Sequence, residues 1–325
     1  MIQFMPVFLG VFDSTIQKLM NGWRDIFYEL AYSNLDNMLT DMNEKVSTIS
    51  TELTTAPDTW QGGTIWGLIE KIAENVALPV AGTVFMFVVL WELISLLIQP
   101  NNLADVDFVS VLMKWLIKTI VAAWFIANSL VICNCFFGIG ADMVNKTTTT
   151  LGTITAENTQ GSILLQYLTD NYGDQDKDAE SGDVSGLISL TISTWFIDLL
   201  IKFMGILITI ILYSRMISIY LHCAVAPLPL ATITNHHLSN IGQGYLKNVF
   251  ALAMQAVLMM ICVAIYGVLV ANVFDPTTIT LDPDNGITAI KLLTKACWST
   301  VGISILLVYT MFKCEGITKQ VFAIQ

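Results

Sequence analysis

The chain has 325 residues, of which 54% are hydrophobic and 13% charged, with a formal net charge of −11 and a mean hydropathy of +0.66. A soluble domain carries about 25% charged residues, so this composition lacks the polar surface a water-soluble protein needs to cover itself, and it implies a multi-pass membrane protein. No basic cluster suggests nucleic-acid binding at a surface.

Residues 1–77 hold ten acidic and four basic residues. The opening MIQFMPVFLGVF has no basic residue and no small-residue cleavage site, so no signal peptide is expected. From 12 to 54, apolar residues such as Phe12, Ile16, Leu19, Trp23, Ile26 and Leu30 recur mostly three and four apart. Asp13, Lys18, Asp25, Asp41 and Lys45 stand between them. The pattern predicts one long amphipathic helix, or two broken near Ser33-Asn34, too charged to cross a bilayer. Such a helix lies along the interface or packs on partner helices, and the acidic polar face favours partners over anionic lipid. Residues 55–77 follow with the breakers Ala56-Pro57-Asp58 and Gly62-Gly63, then a short amphipathic piece through Trp66.

About 20 apolar residues cross the hydrocarbon, and five stretches qualify: Leu78–Ile98, Met113–Ile139, Leu187–Tyr213, Leu246–Phe274 and Ala296–Phe312, the last short unless it begins near Ile290. Between the second and third lies the acidic stretch 141–185, with eight acids and two bases. It reads as a polar extracytoplasmic loop with a short helix near Ile163–Leu168. Residues 275–288 read as a second acidic loop. The six cysteines lie in or beside apolar runs and read as small membrane-buried side chains, not as a disulfide or metal framework.

One further stretch, SRMISIYLHCAVAPLPLATITN at 214–235, is apolar yet carries Arg215, His222, Pro227 and Pro229. Each proline removes a backbone donor, and an arginine at mid-depth costs several kcal/mol. Broken backbone at membrane depth is tolerated only where protein shields it or water lines it. If this stretch does not cross, five spans place the termini on opposite sides. The positive-inside rule then puts Lys313, Lys319, Lys114, Lys118, Arg215 and Lys247 in the cytoplasm and the N-terminal helix and both acidic loops outside. A sixth span kinked by proline inverts much of that charge asymmetry. Lys291 and Lys295 fit neither arrangement. We read 214–235 as a re-entrant or interfacial helix–break–helix.

The run YSRMISIYLHCAVAPLPLATI, the polar turn NIGQGYLKN and the apolar VFALAMQAVLMMICVAIYGVL together resemble the TrbL-type polytopic component of type IV secretion and conjugation systems. The matching features are Arg215 at the end of a long apolar helix, Ala226-Pro227-Leu228, Gly242 with Gly244, and Gln255, and the resemblance covers roughly 187–275. It implies a channel or platform subunit in the bacterial cytoplasmic membrane. Several copies would surround the path by which DNA or protein leaves, and ATPases of the same machine would supply energy. The short central loop and the Thr- and Asp-rich outer segments suit a conjugative element of a single-membrane bacterium.

The expected architecture is therefore all-α. It has an N-terminal amphipathic region at 1–77, two spans within 78–140, the polar loop at 141–185, and a C-terminal core at 186–325 containing the proline break. Glu92, inside the first span, is a candidate lumen or coupling residue, or an acid hydrated near a span end. Asp198 and Lys202, four apart on one helix face, form a proton relay or a neutralised structural couple. His236-His237 lacks the spacing of a helical metal site and has no third ligand nearby. Trp60, Trp66, Trp91, Trp115 and Trp298 stand near expected span ends, as interfacial anchors do. No phosphate-binding Gly-rich loop with Lys, no HExxH and no GxSxG occurs, so neither catalysis nor a cofactor is expected. The reading is a channel or scaffold subunit, with Arg215, Pro227, Pro229, Glu92, Asp198, Lys202, Gln255, Gly242 and Gly244 as candidate mouth or coupling residues. The alternative is a secondary transporter for a small solute. That fold is built of related halves with paired broken helices, and one broken segment and no internal repeat are visible.

Overall fold

The structure is a computed structural model that describes residues 5–98, 108–155, 165–166, 168–170, 172–173, 181–273 and 286–322. Among these every regular element is helical: α1 (Met5–Thr54), α2 (Thr64–Ile72), α3 (Leu78–Ile98), α4 (Phe108–Ala127), α5 (Ser129–Thr155), α6 (Ser181–Val225), the short α7 (Pro227–Leu230), α8 (Ser239–Val273) and α9 (Gly286–Val321). Five helical stretches are long and apolar enough to cross a membrane: Trp60–Ile98, Val109–Ala127, Val184–Val225, Ser239–Val273 and Leu293–Val321.

The helix boundaries correct several expectations. α1 runs unbroken for 50 residues, the single long helix of the two arrangements expected, with no interruption at Ser33-Asn34. The expected second span stops at Asn128, whose side-chain amide donates to the Trp124 carbonyl at 2.9 Å, the same oxygen its own backbone N–H reaches at 3.0 Å. The carbonyl accepts both, and the single turn residue Asn128 separates α4 from α5. The loop expected from Ala141 begins as helix. α5 continues to Thr155, and within it Thr147 and Thr148 satisfy their hydroxyls on the carbonyls of Met143 and Val144 at 2.8 and 2.9 Å. Helix resumes at Ser181, ahead of the expected Leu187, and runs past Tyr213 to Val225. The short helix expected near Ile163–Leu168 lies partly outside the described residues, as does most of the acidic segment 275–288.

The chain divides into two compact units. The first comprises Met1–Ile49, Thr149–Thr209 and Cys262–Thr310. Here α1 packs its Ala31, Leu35 and Met38 stripe in a core with Leu187, Leu190 and Ile197 of α6, all with no exposed surface. Thr191 donates to the Phe27 carbonyl of α1 at 3.0 Å. Gly205 of α6 lies under the Lys45 stem, where a Cβ would come within 2.7 Å of Lys45 Cε. In the same unit Tyr266 of α8 meets Ser304 of α9 at 3.3 Å.

The second unit comprises Ser50–Thr148, Ile210–Ile261 and Met311–Gln325. Its first segment begins with a tight turn in which Gln61, Gly62 and Gly63 all take positive φ. Gly63 has no room for a side chain, since a Cβ would sit 2.9 Å from the Asp58 carbonyl. α2 and α3 are joined by a widened turn at Ala73–Ala77, where Leu78 N–H reaches back to the Ala73 carbonyl. Pro79 explains it: the ring lacks the N–H that Asn75 would receive and crowds the preceding turn, and one wider turn absorbs both. Trp60, expected as an interfacial anchor, is instead buried in the core of this unit. Its indole donates to Glu52 at 2.7 Å and meets Tyr213 edge-on at 5.2 Å. The breaker loop is held down by Tyr220, which donates to the Pro57 carbonyl at 2.8 Å.

Candidate functional site at the proline break

α6 ends where its next residues cannot continue it. Ala226 is followed by Pro227, which opens the single turn α7. The missing N–H costs nothing at a first helical position. Ala231, Thr232 and Ile233 N–H groups then bond back to Pro227, Pro229 and Leu230 at 3.1 to 3.2 Å. Asn235, with 1% of its surface exposed, accepts from the His237 and Leu238 N–H groups at 2.8 and 3.1 Å through its side-chain oxygen. This cap directs the chain into α8. Gly242 allows α8 to close on the turn, because a Cβ there would meet the Pro229 carbonyl at 2.9 Å. Gly244 faces open space, so packing gives it no comparable task.

α7 packs on α3, α4 and the widened turn. Glu92 secures that arrangement. One of its oxygens takes the Lys118 ammonium of α4 at 3.3 Å and the other takes the His236 backbone N–H at 3.2 Å. A single carboxylate on α3 thus joins α4 and the turn after α7. The sequence singles out Glu92 as an intramembrane acid; its partners are separated from it by 26 and 144 residues and left no local signal.

On the other side of the break, α6 and α8 meet through His222. Its Nδ1 lies 2.7 Å from the Ser218 carbonyl and its Nε2 2.9 Å from the Asn248 amide. The Tyr245 hydroxyl donates to the His222 carbonyl at 2.9 Å and lies 3.4 Å from the Cys133 sulfur. Seven residues from this contact along each helix, about two turns, stand Arg215 and Gln255, both buried. Gln255 lines a small cleft with Asn248 and, from α9, Glu315, Thr318 and Lys319. Lys319 is paired with Glu315 at 2.7 Å.

Arg215 is the exception among these groups. It is 8% exposed. Its Nε has no hydrogen-bond partner, and Nη1 reaches only the Met216 sulfur at 4.0 Å. No carboxylate among the described residues pairs with it. A buried guanidinium without a counter-charge is costly.

The remaining candidates separate from this site. Lys202 binds Asp198 at 2.8 Å and stands 3.8 Å from Asp41 of α1. That trio belongs to the first unit and ties α1 to α6. Sequence reasoning missed Asp41, because the two residues are far apart in the chain. It also missed the His222–Asn248–Tyr245 set.

These helices and their five apolar stretches define a multi-pass α-helical membrane protein. Residues 42–227, more than half of the chain, match the family described as TrbL/VirB6 plasmid conjugal transfer like protein, and the chain belongs to that family, whose members are membrane components of conjugal transfer and type IV secretion. No curated protein and no solved structure matches. The matched region ends at Pro227. It shares 187–227 with the stretch that carries the TrbL-type motif and leaves Gly242, Gly244 and Gln255 beyond it.

Proposed function

We propose that the protein is a non-enzymatic channel or scaffold subunit of a conjugative type IV secretion apparatus in the bacterial cytoplasmic membrane. Several copies line the path of a DNA or protein substrate, and other secretion subunits and ATPases of the machine are its partners. Family membership supports the setting, and Arg215 supports the role. A permanently charged guanidinium is buried beside Met216, with no acid paired to it among the described residues. Natural proteins keep such a group against its stability cost where function requires it. In the assembled machine an anionic group, from the substrate or from another subunit, supplies the missing counter-charge. The proline break then serves as a rigid bracket that sets the depth of Arg215, with Glu92 and Gly242 as its fastenings.

Arg215→Met tests this directly. Replacing an unpaired buried charge by an apolar side chain of similar reach raises the stability of the isolated protein, by about 1–4 kcal/mol. Transfer falls about tenfold or more, the equivalent of losing roughly 1.4 kcal/mol of charged contact. Thermal unfolding in detergent and conjugation frequency at matched protein levels read the two effects. Unchanged transfer removes Arg215 from the mechanism.

A further inference from the structure

The loop between α1 and α2 sets Asp58 against Asn134 of α5. The Asn134 side-chain amide donates to Asp58 Oδ2 at 3.1 Å. Their other side-chain oxygens, Asp58 Oδ1 and Asn134 Oδ1, are enclosed by protein, and neither has a hydrogen-bond partner. Turning the Asn134 amide over does not repair this, because its oxygen would then face the carboxylate. Carboxylate and amide oxygens only accept, so the pair lacks a donor or a positive charge. Enclosed acceptors left in that state are costly.

The neighbouring side chains do not supply what is missing. The Tyr220 hydroxyl is spent on the Pro57 carbonyl at 2.8 Å, and the Trp60 indole on Glu52 at 2.7 Å. No Lys or Arg among the described residues forms an ion pair with Asp58 or Glu52. The stretches of this unit outside the described residues, 99–107 and 323–325, contain no Lys, Arg or His. Trp60 and Cys133, which flank the pair in the chain, belong to the buried apolar core. A water molecule there would satisfy the hydrogen bonding and leave the carboxylate charge unbalanced; a cation answers both needs.

We propose that Asp58 and Asn134 bind a monovalent metal cation, sodium or potassium, through their free side-chain oxygens. One carboxylate balances one positive charge. Calcium takes about six to eight oxygens, and its second charge would be left unbalanced here. The bound ion ties the loop to α5. Tyr220 of α6 holds the same loop, so the ion fastens α5 and the last turns of α6 to one point.

Thermal unfolding of the purified protein in detergent tests this. The wild-type midpoint rises with the logarithm of sodium or potassium chloride concentration, against choline chloride at equal ionic strength. Asp58→Asn, whose amide supplies a donor for Asn134 Oδ1, unfolds in choline no lower than the wild type and no longer responds to the metal ion. Glu315→Gln, which removes an exposed acid of the same unit, keeps the wild-type response. Equal wild-type midpoints in sodium, potassium and choline overturn the proposal, and that comparison stands whether or not the variant folds. Stabilisation by calcium alone or by acid alone overturns it too, as does an undiminished response in Asp58→Asn or a lost one in Glu315→Gln.

Discussion

Gly242 and Gly244 stand two residues apart in the same helix and look equivalent in the sequence. In the structure they differ sharply: a methyl group at 242 would collide with the Pro229 carbonyl at 2.9 Å, while one at 244 would meet nothing within 4 Å. Gly242→Ala therefore lowers stability, by about 1–3 kcal/mol for forced repacking. Gly244→Ala raises it by roughly 0.5–1 kcal/mol, because alanine loses less backbone freedom in a helix. Unfolding midpoints of the two variants in detergent check the opposite signs, and equal effects contradict the packing of α8 on the proline turn. Residue types, too, were only half legible. An intramembrane Glu92, a lone Arg215 and paired prolines are visible as anomalies in an apolar run. Whether each is satisfied depends on residues far away in sequence. Glu92 finds Lys118 and a backbone N–H; Arg215 finds no carboxylate among the described residues.

Helix existence followed from periodicity and length, since hydrophobic repeats of three and four and long apolar runs are properties of one segment alone. Helix ends were harder, because they depend on local competition for backbone groups. Asn128 reads as one polar residue in a span, yet α4 ends beside it at Ala127. The threonine run after Asp142 reads as loop, yet helix continues to Thr155, with the Thr147 and Thr148 hydroxyls satisfied on carbonyls one turn back. Hydrogen exchange tests that extension. Amides from 142 to 150 are protected to a degree comparable with α5 upstream of them, whereas a loop exchanges at the rate of an open chain. The joint of α2 and α3 follows the same logic, with Pro79 creating a widened turn that no hydropathy profile registers.

At the scale of the whole chain, α6 is the element that sets the constraints. Its 45 residues extend about 67 Å at 1.5 Å per residue, twice the roughly 30 Å of a hydrocarbon core. Much of it must stand outside the membrane or run obliquely within it. Its first part packs on α1 in one unit, and its last part carries Arg215 and the proline break in the other. The family and the helical class were legible from composition and from the 214–235 motif. The division of α6 between two units was not, because it arises from contacts with α1 that a one-dimensional pattern does not encode.

A cytoplasmic position for Arg215 requires five crossings, with the proline break turning the chain without adding a sixth. Single cysteines at Asn37 and Gly316, in a background lacking reactive native thiols, report this through a membrane-impermeant maleimide applied to sealed cells and then to broken ones. Five crossings predict that Asn37→Cys labels from outside and Gly316→Cys only after the membrane is opened. Both positions labelling from the same side would contradict the topology and, with it, the placement of Arg215 at a cytoplasmic mouth.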